Sequence, residues 1–164
     1  MHKLWVNGIR GSLLSWFENY LNDRKQFTVI NGYKSNVKSF EADVPQGSVL
    51  GPLLFLVYIN DIVDDIQCNI KLFADDTSLY VIIDDPGFSS NMLNGDLELK
   101  TKWAKTWKVD FNPNKRESIV FTRKKTITAM PDLVMNNTNI KSVDFHKHLG
   151  LTLQNDGQWN KHRL

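Results

Sequence analysis

The chain has 164 residues, of which 41% are hydrophobic and 23% are charged. This length allows one ordinary hydrophobic core, and the composition excludes an intrinsically disordered chain. The 20 Lys and Arg residues against 18 Asp and Glu residues leave a net charge of +2, which is too small to indicate a polyanionic partner by itself. The single cysteine, Cys68, excludes an internal disulfide and a cysteine zinc cluster.

Neither a membrane span nor a secretory signal is indicated by the sequence. The longest apolar run, residues 49–59, is too short to cross a bilayer and contains Gly51 and Pro52. Met1 leads into an amphipathic stretch and not into the apolar segment of a signal peptide. We therefore expect a soluble protein with no membrane partner.

The first third of the chain predicts a helix followed by a hairpin. Residues 12–23 carry apolar and aromatic side chains at helical spacing, which predicts an amphipathic helix whose aromatics face a core. Residues 26–35 resemble two strands joined by Asn31-Gly32, a pair typical of a tight turn with positive φ. The outer face of this hairpin offers Lys25, Lys34 and Lys38. These lysines fit a solvated face, and they also fit a surface along a phosphate backbone.

A glycine-containing loop then precedes a second apolar helix. Ser48 or Gly51 can cap this helix, and Pro52 suits its first turn. A glycine at a helix start also lets a ligand approach the free backbone amides, which favour an anion such as phosphate. A capped helix alone and a phosphate-binding loop both remain open at this point.

Residues 70–83 contain two strand-like apolar arms with Asp75 and Asp76 between them. This pattern predicts a hairpin with the two carboxylates at its tip. If the hairpin is rigid and largely buried, the two acids repel each other and lose solvation, and protonation or a hard divalent cation with oxygen ligands relieves both costs. The alternative is a solvated acidic turn, since aspartate is common in turns.

The last third of the chain predicts one more helix and several short strands. Residues 92–108 have helical spacing, and the helix starts after Gly95 or bends there. Trp103 and Trp107 are predicted to face the core, with stacking on nucleic-acid bases as the alternative. Residues 118–122 are a predicted strand. The tail alternates turns with strands at residues 133–135, 140–143 and 148–153.

Two blocks of sequence resemble those of a known enzyme family. Phe73-Ala74-Asp75-Asp76 is similar to the aromatic-x-Asp-Asp box of reverse transcriptases. The upstream block, Val44-Pro45-Gln46-Gly47-Ser48-Val49-Leu50-Gly51-Pro52-Leu53-Leu54-Phe55, resembles the neighbouring box of the same family. The likeness is strongest to polymerases of jockey-like non-LTR retrotransposons, and it extends over nearly the whole chain. Asp43 departs from the glycine that the family more often places there.

The resemblance implies an α+β fold, namely a partial right-hand polymerase palm with an antiparallel sheet and helices packed on one face. On this view residues 1–164 are a reverse transcriptase domain fragment, with the palm and the start of the palm–thumb connection. The upstream fingers and the first catalytic box, with its third carboxylate, are expected to be missing. The missing upstream part of the same polymerase then becomes a partner of this chain.

The resemblance also implies roles for individual residues. Asp75 and Asp76 correspond to catalytic ligands of two Mg²⁺ ions, or of Mn²⁺ in their place. Lys115 follows an Asn-x-x-Lys pattern and corresponds to a catalytic lysine, although a solvated surface lysine is the alternative. Contacts to the nucleotide and the template are implied for Gln46, Gly47, Ser48 and Phe73. Support of the primer end is implied for Leu149 and Gly150.

The implied activity is RNA-directed DNA synthesis by a mobile element, through two-metal nucleotidyl transfer. Its partners are an RNA template, a DNA primer and deoxynucleoside triphosphates, in the nucleus or the cytoplasm. We expect this chain to be inactive alone. The alternative from another class is a non-catalytic retroelement remnant that at most binds nucleic acid or a partner.

Overall fold

The computed structural model describes residues 1–39, 44, 47–124 and 129–160. The chain divides into two compact units, Met1–Asp61 and Ile62–Leu164. The first unit contains the helices α1 His2–Val6, α2 Gly11–Leu21 and α3 Leu50–Ile59, and the strands β1 Lys25–Gln26, β2 Val29–Ile30, β3 Tyr33–Lys34 and β4 Lys38–Ser39. A 3₁₀ turn, Asn60–Val63, follows α3.

Helix α2 confirms the helix predicted for this region and buries one of its aromatics. Phe17 packs with Leu4 and Leu54 in the core of the first unit. Trp16, however, is 48% exposed, so the prediction that the aromatics face the core is wrong for this residue. Trp16 stacks instead on Tyr20, one helical turn later, at a ring-centroid distance of 5.3 Å.

A buried lysine fastens α1 to the end of α3. Lys3 is 8% exposed, and its Nζ donates to the Tyr58 carbonyl and lies 2.5 Å from Oδ1 of Asp61. Because a buried ammonium needs partners to offset its lost hydration, this pairing explains how a lysine is accommodated there.

Strands β1 to β4 form a long, irregular ribbon with the predicted tight turn at its end. Asn31 has φ 50° and Gly32 has φ 82°, which confirms the positive φ expected of both turn residues. Val29 pairs with Lys34, and Gln26 pairs with Lys38. Two residues on one strand therefore lie opposite three on the other, which is a β-bulge.

The second unit is built around one long helix. It contains β5 Asn69–Phe73, β6 Asp76–Tyr80, α4 Pro86–Trp107, a 3₁₀ turn at Pro113–Lys115, β7 Glu117–Ser118, β8 Val134–Met135, β9 Thr138–Asn139, β10 Lys141–Ser142, β11 Phe145–His148 and β12 Leu151–Gln154. The side chains buried in it include Ile62, Cys68, Leu97, Ala104 and Met135.

Helix α4 begins six residues before the predicted start. Asp85 caps it, accepting a hydrogen bond from the Phe88 amide at 2.6 Å, and Pro86 occupies its first position. This pairing of an Asp cap with a following Pro is a strong helix start, and it outweighs the cost of Gly95 inside the helix. Trp103 and Trp107 are half-buried.

Every sheet among the described residues has two strands, and five of the six are antiparallel. The architecture is therefore a mixture of helices with small, mostly antiparallel sheets. The strand predicted over residues 118–122 is reduced to Glu117–Ser118, which pairs in parallel with β10. Asn94 on α4 joins the helix to β8, because its side chain accepts from the Val134 amide at 2.8 Å.

Candidate metal centre at the aspartate hairpin

The predicted hairpin around Asp75 and Asp76 is present, and its two acids lie at the tip. Strands β5 and β6 pair over five residues, ending with Phe73 opposite Asp76. The two-residue turn is therefore Ala74-Asp75, and Asp76 is the first residue of β6. The fixed register holds the two carboxylates on adjacent residues at one end of the ribbon.

Ala74, the first turn residue, has φ 49°. Positive φ at this position is typical of hairpin turns, in which glycine is the usual residue because a Cβ is strained there. Backbone strain of this kind costs about 1–3 kcal/mol and clusters at functional sites. The tip of the aspartate hairpin is thus a conformationally costly turn.

The hairpin is open to solvent, which corrects the expectation that it would be largely buried. Asp75 and Asp76 are exposed, Phe73 is 62% exposed, and in β5 only Ile70 is half-buried. The physical reason is that β5 and β6 pair only with each other within the described sheets. Loss of solvation therefore does not drive metal binding at this tip, but both carboxylates are accessible to a ligand.

The base of the hairpin is held by a buried carboxylate on α4. Asp96 is 1% exposed and accepts from the backbone amides of Gln67, at 3.1 Å, and Cys68, at 2.7 Å. One turn later, the 3% exposed Lys100 donates to the Ile62 carbonyl. The segment that leads into β5 is thereby fixed to the helix at both of its ends.

Burial and the neighbouring Asp96 carboxylate keep the Cys68 thiol neutral. Burial, followed by the hydrogen bond and the charge of Asp96, raises the pKa of Cys68 to about 12. Since the thiolate is the reactive form, Cys68 is an inert structural residue at the foot of the hairpin.

The glycine-containing loop lies in the first unit, and its serine is a helix-capping residue. Oγ of Ser48 accepts from the Gly51 amide at 3.0 Å, which confirms the predicted cap, and Pro52 lies in the first turn of α3. Gly47 is exposed and has φ 77°. The remaining residue predicted for this loop, Gln46, lies outside the described residues.

Lys115 ends a short 3₁₀ turn on the surface of the second unit. The turn begins at Asn112, whose side chain accepts from the Asn114 amide at 2.9 Å, and Lys115 itself is exposed. Within the described part of the chain, no ion pair joins Lys115 to Asp75 or Asp76.

Leu149 and Gly150 form a hairpin turn and not part of a strand. Both have positive φ, 48° and 84°, and His148 pairs with Leu151 across them. Gly150 permits this turn, which is where the predicted strand over residues 148–153 divides into β11 and β12.

Comparison with protein families identifies the family to which the chain belongs. Residues 1–153 match the family described as "Reverse transcriptase (RNA-dependent DNA polymerase)". The chain belongs to the reverse transcriptase family. The predicted resemblance is therefore confirmed over nearly its whole length.

Curated relatives place this reverse transcriptase sequence among those of non-LTR mobile elements. It is 29% identical over 153 residues to the RNA-directed DNA polymerase from mobile element jockey of Drosophila melanogaster, covering 88% of this chain and 16% of that protein. It is 27% identical over 158 residues to the jockey polymerase of Drosophila funebris, covering 92% and 17%. It is 26% identical over 167 residues to the probable polymerase from transposon BS of Drosophila melanogaster, covering 92% and 18%.

The reverse transcriptase chain thus spans about a sixth of the length of the curated relatives that it matches. No solved structure matches it. Within the described ranges, none of its helices has the length and apolar character needed to cross a membrane.

Of the residues assigned by resemblance, the structure brings together Phe73, Asp75 and Asp76. The described residues contain no group of three or more His, Cys, Asp or Glu side chains placed to hold a metal ion. Gly47 and Ser48 belong to the other unit, and Lys115, Leu149 and Gly150 lie on separate surface turns of the second unit.

Sequence reasoning missed Asp96 and Lys100, the residues that hold the base of the hairpin. A signal was available, because these charged residues lie four apart on a helix and on the same side as Leu97 and Ala104. Charged residues within an apolar stripe are rarely buried unless they have partners. This pattern predicts that the two charged side chains make buried polar contacts. It does not predict which backbone groups they contact.

Proposed function

We propose that this chain acts in template-directed nucleotidyl transfer, with Asp75 and Asp76 as ligands of a divalent metal. The proposal is carried by one observation, the hairpin tip, where two adjacent carboxylates are held by a fixed register and are open to ligands. Membership of the reverse transcriptase family supports this role over that of a solvated acidic turn.

The donor chemistry of the tip fits Mg²⁺. This ion prefers hard oxygen ligands, keeps several of its waters, and commonly uses one or two protein carboxylates together with substrate phosphates. Asp75 is the first choice as a direct ligand, and Asp76 is a second ligand or a support for the first. We propose that the site binds two metal ions, either Mg²⁺ or Mn²⁺.

In the proposed reaction a primer 3′-hydroxyl attacks the α-phosphate of a deoxynucleotide, and pyrophosphate leaves. Asp75 and Asp76 would hold the metal, which would lower the pKa of the attacking hydroxyl and stabilise charge on the phosphate. Lys115 is proposed to neutralise or protonate the departing pyrophosphate. Contacts to the nucleotide and the template are assigned to Gln46, Gly47, Ser48 and Phe73, and primer support is assigned to Leu149 and Gly150.

The proposed setting is the palm of a right-hand polymerase, an antiparallel sheet with helices on one face. There the RNA template, DNA primer and deoxynucleoside triphosphates meet, together with the rest of the same polymerase. Residues 1–164 are assigned to the palm and the start of its connection to the thumb. A nuclear or cytoplasmic location follows from the kind of element that the chain resembles.

Metal binding can be tested directly with Mn²⁺ and the purified chain. Titration is followed by the relaxation of water protons, which Mn²⁺ enhances when it binds to a protein. We expect the double variant Asp75→Asn/Asp76→Asn to lower Mn²⁺ affinity about tenfold or more, a loss of about 1.4 kcal/mol. Circular dichroism checks that the fold is retained.

The matched control is Asp64→Asn/Asp65→Asn, a second pair of adjacent, exposed acids in the same unit. Its Mn²⁺ affinity is expected to equal that of the unaltered chain. An equal loss from both pairs, or no loss from the hairpin pair, contradicts the assignment of metal to the tip.

A second candidate function, nucleic-acid binding without synthesis, is favoured by the exposed lysines of the β1–β4 ribbon. Primer extension on an RNA template with Mg²⁺ or Mn²⁺ tests whether this chain catalyses synthesis without the rest of the polymerase. We expect no extension by this chain alone. Extension that survives Asp75→Ala refutes the metal assignment, whereas extension that Asp75→Ala abolishes supports catalysis by this chain itself.

A further inference from the structure

The ribbon formed by residues 25–39, here called the basic ribbon, is exposed along its whole length. Each of its residues is exposed, including Phe27 at 49% and Tyr33 at 83%. Residues 24–39 contain four cations and no Asp or Glu. An exposed segment with such one-sided charge attracts a polyanion, even though the whole chain is almost neutral.

The register assigns the side chains of the basic ribbon to two faces. Lys34 shares a face with Val29, with which it pairs. Continuing the alternation of β1 through residues 27 and 28, which lie between β1 and β2, assigns residues 25 and 27 to the same face. Nζ of Lys34 lies 5.3 Å from the centroid of the Phe27 ring, which agrees with this assignment. Lys25, Phe27 and Lys34 therefore form one surface, here called the Phe27 face.

The opposite face carries Ile30, Tyr33 and Lys38. Ile30 pairs with Tyr33 and Gln26 pairs with Lys38, so this face has one lysine against two on the Phe27 face. The two faces differ in charge but have the same kind of side chains. Substitutions on the opposite face therefore serve as controls for substitutions on the Phe27 face.

We propose that the Phe27 face binds a single strand of nucleic acid, with phosphates on Lys25 and Lys34 and a base against the Phe27 ring. An aromatic ring between cations provides both contacts that a single strand needs, stacking for the base and charge for the backbone. The bases of a duplex are stacked on one another. A duplex can therefore place phosphates on the two lysines but cannot stack a base on the Phe27 ring. The inference rests on the proposed function, because template-directed synthesis requires a bound single strand.

The charge contact is tested by fluorescence anisotropy, with a labelled single-stranded RNA of about 20 nucleotides titrated at several KCl concentrations. Each phosphate contact on a single strand contributes about 0.7 to the slope of log affinity against log salt. We expect Lys25→Gln and Lys34→Gln, each measured as a single variant, to reduce this slope by about 0.7. Lys38→Gln, on the opposite face, is expected to leave it almost unchanged.

The stacking contact is tested with Phe27→Leu, which keeps an apolar side chain but removes the ring. We expect the affinity for the single strand to fall at least about fivefold, since each stacked base is worth about 1–3 kcal/mol. Tyr33→Leu on the opposite face is expected to have little effect, although Tyr33 is the more exposed ring.

A duplex of the same sequence completes the experiment. Tighter binding of the single strand supports the proposal, whereas equal or tighter binding of the duplex overturns it. Equal losses from the two faces, or no binding to either probe, also overturn it. The Mn²⁺ titration contains no nucleic acid, so failure of the metal assignment is distinguished from failure of strand binding by the Phe27 face.

Discussion

Ala74 is the residue whose backbone determines the shape of the aspartate tip. A φ of 49° places it in a region that is unfavourable for residues with a Cβ and more so for β-branched residues. The preceding Phe73 and the following Asp75 and Asp76 depend on this turn for their register. The strain is therefore located at the point from which the two carboxylates extend.

We expect Ala74→Val to lower the free energy of local opening of the hairpin by about 1 kcal/mol, because the β-branched side chain fits positive φ poorly. Ala74→Gly is expected to raise it by up to about 1 kcal/mol, since relief of strain exceeds the entropic cost of glycine. Native-state hydrogen exchange over residues 69–80 measures both.

Ser78 provides the control, since it lies in extended β6 and has no strain to relieve. Ser78→Gly is expected to make the hairpin less stable. If both glycine variants lower protection equally, the strain at Ala74 does not contribute to stability.

At the scale of elements, the aspartate hairpin depends on α4. Asp96 satisfies two backbone amides just before β5, and Lys100 satisfies a carbonyl further upstream. Buried groups of this kind must be paired, so loss of one partner leaves a donor without an acceptor. The hairpin is fastened at its base while its tip remains in solvent.

Asp96→Asn is expected to lower the free energy of opening of the segment before β5 by about 1–3 kcal/mol. In the native protein the Gln67 and Cys68 amides donate to different oxygens of the Asp96 carboxylate. Asparagine has only one acceptor oxygen, so it cannot reproduce both hydrogen bonds. Hydrogen exchange of these two amides gives the measurement. Glu98→Gln, on the exposed side of the same helix, is expected to leave their protection unchanged, and equal effects would refute the anchor.

Much of the element pattern followed from local chemistry. The aspartate hairpin, the Asn31-Gly32 turn and the Ser48 cap were predictable because each depends on residues close together in sequence. The start of α4 was missed because a helix pattern over residues 92–108 does not show that Asp85 and Pro86 initiate it. The anchoring by Asp96 was missed because it joins residues 28 apart, a separation that periodicity does not detect.

At the scale of the whole molecule, the described strands form six two-stranded sheets, so the single palm sheet stays a proposal. Strand propensity marked where strands occur, but it carries little information about which strands pair, because pairing depends on distant contacts. The exposure of the hairpin was missed for the same reason. The site residues of the resemblance accordingly divide into one assembled group at the tip and several separate turns.

Two-stranded sheets leave backbone groups unpaired at their edges, and such edges favour association between molecules. Exposed apolar side chains add to this tendency, among them Val49 at 94% and Ile82 at 80%. We expect the purified chain to associate as its concentration rises, measured by light scattering. Val49→Lys/Ile82→Lys is expected to reduce the association.

Ser15→Lys/Asn91→Lys controls for the two added charges, because it places lysines at exposed positions without removing apolar surface. A chain that stays monomeric at all concentrations, or whose association is reduced equally by this control, contradicts the role of Val49 and Ile82.

Asp96 fixes only the base of the hairpin, so a small rotation at the base produces a larger displacement at the tip. The five-residue strand β5 is about 17 Å long from the fastened end to the turn. A tilt of about 5° at Cys68 therefore displaces Asp75 and Asp76 by roughly 1.5 Å. Because displacements near 1 Å slow reactions between positioned groups about a hundredfold, side-chain changes inside α4 are expected to lower the proposed activity without contacting a substrate.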